Sequence, residues 1–85
     1  MSSECMLCSV YRSPRKEGMY LYVPKQNPFA KVPEALLQTF GEPGHVMDLE
    51  LTPERKLARA KAPDVINGLR ENGYYLQMPP HEAMM

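Results

Sequence analysis

GYYLQMPP, residues 73–80, decides how this chain folds. Gly73 is free to take the left-handed conformation that ends a helix. Residues 74–78 then alternate large apolar with more polar side chains, the period of a strand with one buried face. Pro79 and Pro80 withdraw backbone donors and stop the pairing. The chain therefore leaves a helix, makes a strand and ends it within one short stretch, so a helix lies upstream and a sheet receives the strand.

Working back from Gly73, residues 63–72 predict that helix, with Val65, Ile66 and Leu69 as its apolar stripe. Gly68 costs it about 1 kcal/mol against alanine, so packing rather than propensity must hold it. Upstream, Thr52, Pro53 and Glu54 combine a cap, a first-turn proline and an acid suited to a helix start. The RKLARAK that follows suits a helix or, equally, a turn with a short extended piece, and 53–61 stays open between the two. Residues 45–51 alternate Met47, Leu49 and Leu51 with Val46, Asp48 and Glu50, a third strand with a charged side. Residues 33–40 predict a short helix that starts at Pro33 and Glu34, carries Leu36, Leu37 and Phe40, and stops at Gly41 and Pro43. The first two strands, 5–11 and 19–23, form a hairpin about RSPRKEG at 12–18.

The order is β-β-α-β-α-β. Two short helices suggest an α+β fold of two layers, with both helices on one face of a mainly antiparallel four-stranded sheet. Alternation then sends Met6, Cys8, Val10, Met19, Leu21, Val23, Met47, Leu49, Leu51, Tyr74, Leu76 and Met78 beneath the helices. The open face collects Leu7, Ser9, Tyr11, Tyr20, Tyr22, Val46, Asp48, Glu50, Tyr75 and Gln77. That assignment depends on register, because a slip of one residue reverses it.

The chain has 85 residues, enough for one small domain over 1–78 with a short tail at 79–85. A domain of this size buries little more than ~60 % of the surface exposed by its unfolded chain. Ten basic residues balance ten acidic ones, which removes any global attraction to nucleic acid or an anionic membrane and leaves local patches as the alternative. No run approaches the ~20 apolar residues of a membrane span, and the N-terminus has no basic region leading into an apolar core. A cytoplasmic protein with no membrane partner is expected. There is no internal repeat.

Few residues combine as catalytic machinery. Cys5 and Cys8 have the spacing of a thiol or zinc motif, but residues three apart on a strand point to opposite faces, and a zinc site needs about four ligands where His45 and His81 are the remaining favoured donors. A buried structural cysteine is the better reading. Ser9 and Ser13 lack a nucleophile-elbow context. Asp48 and Glu50 could pair as acid and base, yet a solvated strand face that discourages edge aggregation explains them more simply. Gly41 and Gly44 flank a turn rather than a phosphate loop. No cofactor, metal site or catalytic residue is expected.

The tyrosines and basic residues remain. Tyrosine favours strands for reasons of packing alone, but it also supplies stiff contact area with a polar tip and can stack on unpaired bases. Tyr11, Tyr20, Tyr22, Tyr75 and Gln77 are the candidate binding residues, with Arg12 and Lys16 at their rim. Arg55, Lys56, Arg59 and Lys61 form a second basic group, which becomes a phosphate-contacting rim if it flanks the tyrosines.

VYRS at 10–13, YLYV at 20–23, VPEALLQTFG at 32–41, LTPERKLARA at 51–60 and GYYLQMPP at 73–80, in that order, resemble the bacterial YcgL-domain family over about residues 6–80. The resemblance implies a small α/β domain with two helices and a mainly antiparallel sheet. It brings no catalytic residues to carry across. Members of that family are sometimes encoded near ribonuclease D, which points weakly to RNA metabolism. Pro63, Gly68, Cys5 and the short tail are departures from the pattern. Together these readings lead to the expectation of a non-enzymatic interaction domain with a protein partner; the alternative is an accessory in RNA metabolism that binds RNA or a ribonuclease.

Overall fold

The computed structural model describes residues 6–57 and 60–79. Its elements are β1 (Met6–Arg12), β2 (Tyr20–Pro24), α1 (Glu34–Phe40), β3 (Gly44–Leu51), α2 (Ala62–Glu71) and β4 (Tyr75–Gln77). The sheet is antiparallel throughout, in the order β3-β1-β2-β4. The α+β class and the order of elements are those read from the sequence. Cys5, Arg59, His81 and all of the tail beyond Pro79 lie outside the described residues.

Gly73 does what its place after a helix predicts. Its φ is 86°, and its N–H reaches the carbonyls of Gly68 and Leu69, both at 3.1 Å. A β-carbon there would also stand 2.6 Å from Cβ of Lys31. In the open segment 53–61 the described residues form a turn, with Arg55 N–H on the Thr52 carbonyl at 3.0 Å, and an extended contact in which Lys56 bridges to Lys61. Helix α2 begins only at Ala62, with Pro63 in its first turn.

The expected layering is corrected. The two helices lie on opposite faces. Val65, Ile66 and Leu69 of α2 pack with Cys8, Val10, Tyr22 and Leu51. On the other side, Phe40, Leu36 and Leu37 of α1 pack with Met19, Leu21, Val23 and Leu76. The physical reason is the hairpin register. Val10 sits across from Tyr22 and Tyr11 across from Leu21, and residues facing each other in an antiparallel ladder share a face. The alternation within each strand is as read, and so is the sharing of faces between β1 and β3 and between β2 and β4. The two halves are joined one residue out of the expected phase, so the tyrosines of β2 join the aliphatics of β1. Each half then presents an apolar face to a different side, and each face takes one helix.

Ser13 ties this arrangement together. Its Oγ donates to the Phe40 carbonyl at the end of α1 and accepts from the N–H groups of Arg15 and Lys16, both at 3.1 Å. A single buried hydroxyl thus fixes the hairpin turn and satisfies a helix-end carbonyl that lacks an intrahelical partner. No helix among the described residues is long and apolar enough to cross a membrane.

Candidate functional site

Helix α2 covers only part of its sheet face. At the uncovered end a groove of about 360 Å³ remains. Its floor runs across β1, β2 and β4 through Val10, Tyr20, Tyr22 and Gln77, and the segment after β3 forms a wall with Arg55, Lys56 and Leu57. The opposite lip is β3, with Val46, Met47 and Leu49. A bulge shapes that lip. Val10 pairs with Met47 and Tyr11 with His45, leaving Val46 without a cross-strand partner. An extra residue of this kind re-aims side chains at a sheet edge. Val46 and Met47 are 41 % and 47 % exposed, large apolar groups held at the edge of a concave surface.

The floor is partly fixed and partly accessible. Tyr22 is 7 % exposed; its hydroxyl donates to Gln77 Oε1 at 3.4 Å, and its ring meets Tyr75 edge-on at 6.0 Å between centroids. Burial, followed by the neighbouring Cys8, Tyr75 and Tyr20, pushes its phenol above the ordinary range. Tyr20 is half-buried and offers the reachable aromatic surface. Among the described residues, neither Arg55 nor Lys56 pairs with a carboxylate. The groove can therefore hold an apolar group against tyrosine and methionine while presenting two cations to an anionic neighbour.

The candidate residues separate. Tyr20, Tyr22, Tyr75 and Gln77 share the α2 face. Tyr11 lies on the other face, 4.9 Å from Phe29 and 5.3 Å from His45 between ring centroids. Arg12 faces Tyr20 across the ladder and lines an adjoining hollow with Glu17 and Glu42. Lys16 belongs to the hairpin turn. Lys61 is exposed at the start of α2. The sequence places Met47, Leu49 and Val10 in the core; Val10 is buried there with Leu49 packed against it, whereas Met47 is exposed, and no local signature marks the bulge beside it.

Nucleophiles and acid–base groups are arranged for structure. Cys8 is fully buried, and burial pushes its thiol up to about 11, with Arg55 opposing the shift. At neutral pH it is a protonated, apolar core group. Asp48 Oδ1 accepts from Ser9 Oγ at 2.6 Å and lies 2.8 Å from His45 Nε2. The carboxylate stands between serine and histidine, whereas serine activation needs the histidine in the middle. The Ser9 hydroxyl first, and His45 second, hold the Asp48 carboxyl below its ordinary value. Among the described residues, no three His, Cys, Asp or Glu side chains converge as a metal site.

The family model of the YcgL domain matches residues 8–80. This chain is similar to a YcgL domain-containing protein of Pseudomonas paraeruginosa, 57 % identical over 76 residues, which is 89 % of this chain and 78 % of that protein. A Pseudomonas putida homologue of the same description is also 57 % identical over the same shares. One from Azotobacter vinelandii is 53 % identical, again over 89 % of this chain and 78 % of its own length.

Proposed function

This chain belongs to the YcgL-domain family, and from that premise we propose that it is a non-enzymatic interaction module that docks a protein partner in the groove beneath Met47 and Leu57. The observation that carries the reading is the composition of that groove. An aromatic and aliphatic floor lies beside two cations that have no carboxylate partner among the described residues. Interfaces favour this combination of tyrosine, methionine and arginine. The inert Cys8 thiol and the order Ser9–Asp48–His45 support a binding role over a catalytic one.

The test uses the full chain as bait, with and without nuclease, against a Met47→Ser/Leu57→Ser variant whose fold is checked by circular dichroism. Both side chains line the groove, and neither is fully buried, so the fold is expected to survive. Loss of a nuclease-resistant partner supports the reading, and undiminished capture by the variant overturns it.

A second reading follows from the same two cations standing beside Tyr20. Single-stranded RNA could stack a base on the ring and place phosphates at Arg55 and Lys56. It requires affinity that falls steeply as salt rises, and salt-insensitive binding removes it.

A further inference from the structure

Tyr20 lines more than this groove. A second hollow is lined by Arg12, Glu17 and Glu42, and Tyr20 borders both. The two hollows share Tyr20 and differ in charge. In one, Arg55 and Lys56 flank apolar walls; in the other, one cation is accompanied by two carboxylates. Resting on the docking role proposed above, we infer that the occupant is an extended acidic peptide segment of a partner protein, held in one direction. A large apolar residue packs between Tyr20, Met47 and Leu57, and its acidic neighbours on one side meet Arg55 and Lys56. The segment continues past Arg12 without negative charge.

Three features select this chemistry. The groove is small, near the lower end of the ~300–1,000 Å³ range of ligand sites, which suits one anchoring side chain. The apolar lip at Val46, Met47 and Leu49 matches an aliphatic or aromatic anchor. The difference in charge between the two hollows separates a peptide from a nucleic acid. A nucleic-acid strand carries a phosphate at every step, so the portion lying by Glu17 and Glu42 would face like charge. A peptide can confine its carboxylates to the cationic hollow.

Panning a random dodecapeptide display library on the immobilised full chain, then measuring the enriched peptides by fluorescence anisotropy, tests this. The expected peptides carry Asp or Glu on one side of a Leu, Phe, Tyr or Trp. Their affinity drops at least about tenfold in Arg55→Glu/Lys56→Glu and also in Met47→Ser, while the urea midpoint of each variant confirms folding. Enriched peptides without acidic residues, or affinity indifferent to the charge reversal, overturn the inference; if Met47→Ser still abolishes their binding, the docking groove itself stands. A short oligouridine that binds more tightly than every selected peptide, in a Met47-dependent manner, overturns it in favour of RNA. A homodimer broken by Met47→Ser overturns it by assigning the groove to a second copy. No groove-dependent binding in any arm overturns both this inference and the docking role.

Discussion

A β-carbon on Gly68 would stand 3.0 Å from Cδ1 of Tyr75 and 3.2 Å from the carbonyl oxygen of Tyr74. Helix α2 thus lies against the start of β4 as closely as a bare backbone allows. Alanine here should recover about 1 kcal/mol of helix propensity but lose about 1–3 kcal/mol to overpacking. The Tyr74 carbonyl belongs to backbone and cannot swing aside like a side-chain tip. Gly68→Ala is expected to be destabilised by roughly 1 kcal/mol, seen as a lower urea midpoint at unchanged slope. A raised midpoint would show that propensity wins and that the close approach is slack.

Ser13 serves three backbone groups with one hydroxyl. Ser13→Ala leaves the Phe40 carbonyl and the turn amides to find other partners in a buried site. The expected cost is about 1–3 kcal/mol. Because the contact joins elements distant in sequence, amide exchange should quicken both in the hairpin turn and at the end of α1. Faster exchange at just one of these places would show that the hydroxyl does not couple them.

Cys8 gives a stability that depends on pH in the alkaline range. Its folded thiol titrates near 11, and an unfolded one near ~8.5. Between those values the unfolded chain has lost the proton while the folded chain keeps it, so stability falls as pH rises, by about 1.4 kcal/mol per unit from this group. Below the unfolded value the contribution is fully present. The difference between the parent chain and Cys8→Ala in urea unfolding isolates it from the tyrosines. A difference that stays constant from neutral pH to pH 10 would sink the assignment. In the same range, alkylation of Cys8 should proceed at the rate of opening rather than at the rate of a free thiol.

Asp48 works in the opposite direction. Its carboxyl is held low by Ser9 and, secondarily, by His45. The stabilisation is present above the ordinary aspartate value and is lost as pH falls through the lower folded one. An NMR titration should place the Asp48 midpoint below that of a free aspartate. Ser9→Ala should move it up more than His45→Gln does. The reverse order would make the imidazole, not the hydroxyl, the main cause.

These residues also show what could be read from the chain and what could not. Gly73 ends α2 because φ of 86° suits glycine, and its consequence is visible in the letters themselves. So is the alternation of each strand. The phase between β1 and β2 is not visible, because it depends on how many turn residues between Arg12 and Tyr20 enter the ladder. One residue of difference moves Tyr20 and Tyr22 from one face to the other. The groove was beyond reach for the same reason. Arg55 and Lys56 can be named as a basic group, but their position beside Tyr20 depends on the register and on where α2 begins.

Tyr22 provides the most direct check of that register. If its ring lies in the α2 core, Tyr22→Ser should cost about 3–5 kcal/mol, the range for truncating a buried aromatic. Tyr22→Phe should cost less than about 1.5 kcal/mol, because the bond to Gln77 is long at 3.4 Å. Tyr20→Ser should fall between them, since that ring is half-exposed. Were Tyr22 instead on an open face, serine would be tolerated at both positions with little change. Urea midpoints of the three variants therefore decide the pairing of Val10 with Tyr22 and, with it, the location of the groove floor.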